Sequence, residues 1–316
     1  MSSAVGEAPA RARAVALPAS RARGIRRRSL GGLPGASRPS LIARLLTMIL
    51  LGAAVIYFMA PIVWLFIAST KNAGDLYSTP AFSFADWNLW KNIADVSTFR
   101  DGIFWRWMLN SGVYSVLGSI ATTLVSAMCG YALAVYEFRG RSVVIGAIVG
   151  SLMVSGTVLA QPLYLLLVQL HLNDSVAGIL LPGLVYPFGV MICYTAARAS
   201  VPREIIEAAR IDGANEYQIF FRISLPLIQT GLATVLLFAF LGSWNSYLMP
   251  LLVLNNNDLY PVTVGLASWS QQTNSDPHLA TLTLVGSAMS IAPLIATFML
   301  LQRYWRGGVA SGAVKF

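Results

Sequence analysis

Apolar and polar positions fall in long blocks along this chain, with no short alternation. Six apolar stretches stand out, at approximately Leu45–Ser69, Met108–Tyr136, Val143–Leu170, Val176–Ala197, Leu227–Leu254 and Leu279–Leu301. Each is near or above the roughly 20 residues a helix needs to cross a bilayer. Backbone groups in lipid must be satisfied within their own segment, which selects helices. A membrane β-barrel would show short alternating strands, and none are present. The expected fold class is an all-α membrane protein with six transmembrane helices.

Composition sharpens that reading. The chain has 316 residues, 56% hydrophobic and only 11% charged, where a soluble domain carries about 25% charged residues. Charge this sparse cannot coat a soluble globule. The formal net charge of +9 lies mostly beside the apolar blocks, which points to orientation in a membrane and away from nucleic acid. With both ends placed in the cytoplasm, 18 of the 22 basic residues fall inside. Only Lys71, Lys91, Arg100 and Arg106 fall outside, as the positive-inside rule requires. The two cysteines, Cys129 and Cys193, sit in apolar stretches with no histidine nearby, so neither a disulfide framework nor a metal site is expected.

Three regions follow. Residues 1–40 are arginine-rich and lack hydrophobic periodicity, and are expected to form a disordered cytoplasmic tail resting on anionic membrane lipid. Arg26, Arg27 and Arg28 resemble a twin-arginine signal, but the apolar run begins well downstream and is too long for a signal core. Residues 41–302 form the membrane domain, and residues 303–316 a cytoplasmic C-terminal tail. Between the first two spans, Asp86 is a candidate N-cap for a short interfacial helix. Trp87, Trp90, Trp105 and Trp107 suit an aromatic belt. Residues 255–278 read as a polar external loop with a partly buried middle. His171 and His278 both fall outside, as surface residues.

What the spans lack restricts the chemistry. No Asp, Glu, Lys, Arg or His lies in the core of any span, which disfavours a stand-alone secondary transporter driven by ions or protons. The only lysines are Lys71, Lys91 and Lys315, and none follows a glycine-rich turn, so the chain has no phosphate-binding loop. Paired carboxylates and nucleophile–base pairs are also missing, which argues against an enzyme. Energy must enter from another polypeptide.

The most informative segment is the inner loop 198–226, which contains Val201-Pro-Arg-Glu-Ile-Ile-Glu-Ala-Ala-Arg-Ile-Asp-Gly-Ala-Asn-Glu-Tyr-Gln-Ile-Phe-Phe-Arg-Ile-Ser-Leu-Pro226. Pro202 suits the first turn of a helix, and Glu204 and Glu207 then lie near its positive end. Ile205, Ala208, Ala209 and Ile211 make a small apolar face at helical spacing. Gly213 is a natural stop. A second helix is expected from about Asn215, with Ile219, Phe220 and Ile223 on one side, and Pro226 opening the fifth span. The alanines form a ridge narrow enough to enter a groove, and Glu207 can pair with a basic partner.

This segment resembles the EAA loop of bacterial ABC-importer permeases. Glu207, Ala208, Ala209, Asp212, Gly213, Ile223, Leu225 and Pro226 stand where that pattern has its coupling residues. The likeness extends to Gly242-Ser-Trp-Asn-Ser-Tyr-Leu-Met-Pro-Leu-Leu252, Pro261-Val-Thr-Val-Gly-Leu266 and the tail Gly307-Gly-Val-Ala-Ser-Gly-Ala-Val-Lys-Phe316. These are similar to the MalG-type permeases of carbohydrate importers, from about residue 43 to the end. Phe316 stands where such tails commonly end in glycine.

The resemblance implies a MetI/MalG-like fold in the cell inner membrane, with both termini cytoplasmic. It implies a heterodimer with a MalF-like second permease, two ABC ATPase subunits and an extracytoplasmic solute-binding protein. ATP and Mg would bind the ATPase partners, and this chain would bind no cofactor. The first helix of the loop would be a coupling helix docked in the ATPase, driving alternating access for a sugar substrate. Residues 255–278 would reach the binding protein, and the C-terminal tail the ATPase. Glycerol-3-phosphate or a polyol is the alternative cargo. Two polar positions are candidates for the translocation path. Gln161, with Pro162, interrupts the third span, and Asn245 lies in the fifth. The first could mark a path or a kink, and the second a sugar contact or a bond to a neighbouring helix. Pro182-Gly183 with Pro187 interrupts the fourth span and poses the same choice.

Overall fold

The computed structural model describes residues 41–312. The tail expected at residues 1–40 and the last four residues lie outside the described range. Among the described residues the chain is helical, with no strand. It divides into two units, one ending at Ile56 and the other running from Tyr57 onward. The first contributes the opening turns of α1 (Leu41–Ser69). Its apolar side chains, Leu45, Ile49 and Leu50 among them, are exposed. Nothing but lipid or another apolar surface suits such a face.

In the second unit, α1 closes with Ile67, Ala68 and Ser69 buried. Two short helices follow, α2 (Ala73–Ser78) and α3 (Leu89–Thr98). The cap of α3 is Asn88 and not Asp86, because the helix starts later than expected. Asn92 and Lys71 are buried there, satisfied by main-chain oxygens. Asn92 Nδ2 donates to the carbonyls of Ser69 and Lys71 at 2.9 Å, and Lys71 Nζ to that of Pro80 at 2.8 Å.

The centre is α4 (Ile103–Val135), which packs along α8 (Pro187–Ser200) and α12 (Gln229–Trp244). Small residues let these helices approach closely. A Cβ on Gly130 would lie 2.6 Å from both the Cβ of Cys193 and the amide nitrogen of Tyr194.

Among the described residues three helices, α1, α4 and α15 (His278–Gly312), are long and apolar enough to span a bilayer, and bent pairs bring the count to six if each pair is one span. Helices α5 (Arg141–Ser151) and α6 (Gly156–Gln169) meet at 105°. The break lies at residues 152–155, whereas Pro162 sits inside α6, so Gln161-Pro162 does not interrupt the third span. Helix α7 (Val176–Gly183) meets α8 at 42°, with Pro187 in the first turn of α8, where its missing N–H costs nothing. The segment from α9 (Arg203–Ile211) to α12 passes through α10 (Glu216–Gln218), a π-helical turn at Ile219–Ser224, and α11 (Leu225–Leu227). The stretch 216–227 meets α12 at 82°. The fifth apolar block then breaks again before α13 (Leu248–Val253), and α14 (Val262–Gln271) precedes α15.

Two buried clusters close the ends of this bundle. One gathers Phe104, Trp107, Trp244, Leu266 and Trp269 around α3, α14 and the start of α4. Trp107 belongs to this core and not to an aromatic belt, while Trp87, Trp90 and Trp105 are exposed as expected. The other gathers Tyr131, Cys193, Ile206, Ala209, Phe220 and Val235 around the far end of α4.

Candidate functional site

The loop 198–226 folds as two short helices against the second cluster. Helix α9 starts after Pro202, which is its N-cap, and carries Glu204 in its first turn. It ends in a left-handed turn at Gly213, with φ +83°. The amide of Gly213 donates to Arg210 O at 3.1 Å and that of Ala214 to Ala209 O at 3.0 Å, a Schellman closure that satisfies the last carbonyls. Asn215 then caps α10 in a reciprocal box with Gln218. The π-helical turn that follows buries Ile219 and Phe220, with Ile223 half-buried beside them.

The two faces of α9 divide differently from the expected pattern. Ile206 and Ala209 are buried in the cluster. Ile205, Ala208 and Ile211 point outward, and Ile211 is 86% exposed. Glu207, Asp212 and Pro226 are also exposed, and Leu225 is half-buried. Glu207 forms no ion pair among the described residues. The result is an exposed surface of isoleucine and alanine edged by exposed carboxylates.

Charged groups tie the inner side of α9 to the end of α4. Arg203 Nη2 bonds Glu137 Oε1 at 2.7 Å, and Arg210 Nε bonds Glu216 Oε1 at 2.7 Å. The Tyr136 hydroxyl donates to the other oxygen of Glu216. Arg203 holds the Glu137 carboxyl below its ordinary value. Arg210 and then Tyr136 do the same for Glu216. Burial, followed by the bond to Glu216, pushes Tyr136 up to about 12.

Midway along α4, between the two clusters, lies a cavity of about 740 Å³ lined by α4, α6, α7 and α12. Tyr114, Thr122, Tyr186, Ser243 and Ser246 contribute its polar groups, and no charged side chain lines it among the described residues. Gln161 and Asn245 are not on its wall. Gln161 is exposed on α6, and Asn245 ends α12, donating to its own helix at Leu241 O, 2.9 Å away. Their neighbours Ala160, Pro162, Ser243 and Ser246 are the lining residues.

At the opposite end, the segment after α13 is held by main-chain capture. Trp107 Nε1 donates to Asn257 O, Tyr114 Oη to Leu259 O, and Asn110 Nδ2 to Asp258 O and Tyr260 O. Asp174 accepts from the amides of Asn255 and Asn256 at 2.9 Å, which hold its carboxyl below the usual range. His278 reaches Asp95 at 3.7 Å. The partly buried middle of this loop is α14, with Val264, Leu266 and Trp269 in the core.

Residues 126–309 match the family described as binding-protein-dependent transport system inner membrane component. The arabinooligosaccharides transport system permease protein AraQ of Halalkalibacterium halodurans is 37% identical over 214 residues, 68% of this chain and 75% of AraQ. The sn-glycerol-3-phosphate transport system permease protein UgpE of Escherichia coli O1:K1 is 30% identical over 283 residues, 87% of this chain and 98% of UgpE. A crystal structure of a bacterial ABC transporter involved in the import of the acidic polysaccharide alginate superposes with a TM-score of 0.73 at 24% identity, over 86% of this chain and 99% of that one.

Proposed function

We propose a function from one premise: the chain belongs to the family of binding-protein-dependent transport system inner membrane components. It is a membrane permease subunit, and its cargo is a neutral sugar, an oligosaccharide in particular. Its relative AraQ serves arabinooligosaccharides. Import is driven by ATP hydrolysis in two separate ATPase subunits, with Mg bound there and no cofactor on this chain. A second permease completes the path, and an extracytoplasmic binding protein delivers the cargo to the face built by residues 255–278. Both termini lie in the cytoplasm.

The observation that carries this reading is the surface of α9. A helix of nine residues, closed at its C-terminal end by the Gly213 turn, presents Ile205, Ala208 and Ile211 outward beside an exposed Glu207. Apolar area left in water is unfavourable, so a short capped helix with this face calls for a partner. Closure of the ATPase pair would move α9, and α9 would move the spans between inward and outward access.

The relative UgpE supports the alternative cargo, glycerol-3-phosphate. The uncharged cavity wall favours a neutral sugar, because a buried phosphate without a cation costs several kcal/mol or more.

The test is Glu207→Lys in the complete transporter reconstituted in vesicles. The variant inserts and assembles, and its transport per ATP hydrolysed collapses. Unchanged transport and binding-protein-stimulated ATPase in this variant would refute the assignment of α9.

A further inference from the structure

We infer that Tyr136 and Glu137 form a second attachment through which α9 positions α4, so that Tyr136, Glu137, Arg203, Arg210 and Glu216 act together as positioning residues of the transport cycle. This rests on the reading of α9 as the ATPase-facing helix.

Chain connectivity alone does not link α9 to α4. Helix α9 runs back through Val201 and Pro202 into α8, and forward through the 213–215 turn toward α12. Helix α4 is separated from it by more than 60 residues. Even so, both ends of α9 are tied to two consecutive residues at the end of α4, one directly and one through Glu216. Arg203, in the first turn of α9, holds Glu137. Arg210, in its last turn, holds one oxygen of Glu216, and the Tyr136 hydroxyl holds the other. One carboxylate thus bridges α9 and α4.

Packing beneath α9 is incomplete, which gives these ties their importance. A cavity of about 230 Å³ opens between the helix and the end of α4, lined by Val135, Tyr136, Glu137, Arg203, Ile206, Glu207 and Arg210. Ile206 and Ala209 grip one edge of α9 in the buried cluster. A helix held along one edge can roll about it. Bonds at both ends on the open side remove that freedom, so a push on α9 displaces Tyr136 as well. Helix α4 is 33 residues long without a proline and lines the central cavity with Tyr114, Gly118 and Thr122. Displacement at its end therefore reaches the cavity wall directly.

The experiment compares transport per ATP hydrolysed in the full reconstituted transporter for Glu137→Arg, Arg203→Glu, the double reversal and Tyr136→Phe, with Glu207→Lys alongside. Each single reversal should lower the ratio by about threefold or more, since exposed ion pairs are individually modest and reversal adds repulsion. The double reversal should return it to within about twofold of wild type. Tyr136→Phe should lower it in the same direction by less. If Glu207→Lys uncouples while these variants keep the wild-type ratio, the attachment is refuted and α9 acts only through α8 and α12. A loss confined to the amount of assembled complex, with the ratio per complex unchanged, refutes it equally. If Glu207→Lys itself leaves the ratio intact, the assignment of α9 has failed, and the attachment falls with it.

Discussion

Gly213 offers a sharp perturbation because its conformation and its surroundings separate cleanly. Its φ of +83° lies in the left-handed region, and a Cβ built there meets no heavy atom within 4 Å. Substitution therefore adds no clash, and the whole penalty is backbone strain, about 1–2 kcal/mol for an ordinary L-residue. That strain falls on the turn whose amides close α9 onto Ala209 O and Arg210 O. Gly213→Ala should raise the opening of residues 209–214 by roughly 5- to 30-fold. Gly213→Asn should do so by clearly less, since asparagine tolerates this region. Amide hydrogen exchange of the purified permease, read on peptides covering α9 and the turn, measures the effect locally. Equal exchange in wild type, Gly213→Ala and Gly213→Asn would refute the argument that the left-handed turn terminates α9.

Other perturbations follow from the same structure. Gly242 lines the central cavity with open space above its Cα. Gly242→Phe should obstruct transport while the complex still assembles, and uptake assays of vesicles matched for assembled complex would reveal it. Ile206→Ala removes a side chain only 2% exposed, at a cost of about 2–5 kcal/mol, so the thermal midpoint of the detergent-solubilised chain should fall while Ile211→Ala, at an exposed position, leaves it unchanged. The Glu137 carboxyl is held below its ordinary 4.5 by Arg203, so its stabilising contribution is fully present above the unfolded value and is lost only as pH falls through the lowered one. The thermal difference between wild type and Glu137→Gln should accordingly be constant from pH 8 to 5 and shrink only in stronger acid. A difference that titrates near neutrality would contradict this.

Much of the architecture is legible in the sequence because hydropathy reports burial in lipid directly. The six apolar blocks map onto three long helices and three bent pairs. The bends are less legible. Pro182 and Pro187 flank one of them, but the sharpest, at residues 152–155, has no proline, and Pro162 lies within a helix. Proline frees a carbonyl wherever it falls, while tertiary packing decides where a span folds back. In α9, periodicity groups Ile205 and Ala208 with Ala209, yet it is Ile206 that packs beside Ala209 while Ile205 and Ala208 stay exposed. A short helix with apolar residues on both sides does not disclose which side meets its own bundle. Glu207, Ala208 and Gly213 could be singled out from local spacing alone. Tyr136 and Glu137 could not, because their partners lie 80 and 66 residues away and a lone Tyr-Glu after a span carries no signal of its own.

The account's central claim is that this chain transports only as part of a multi-subunit importer powered by another polypeptide. Isolation of the tagged chain from native membrane in mild detergent, with mass spectrometry of what accompanies it, tests that most directly. The account predicts an ATPase, a second multi-span permease and a solute-binding protein in the same complex. Recovery of this chain alone, active in uptake after reconstitution without ATP, would contradict it.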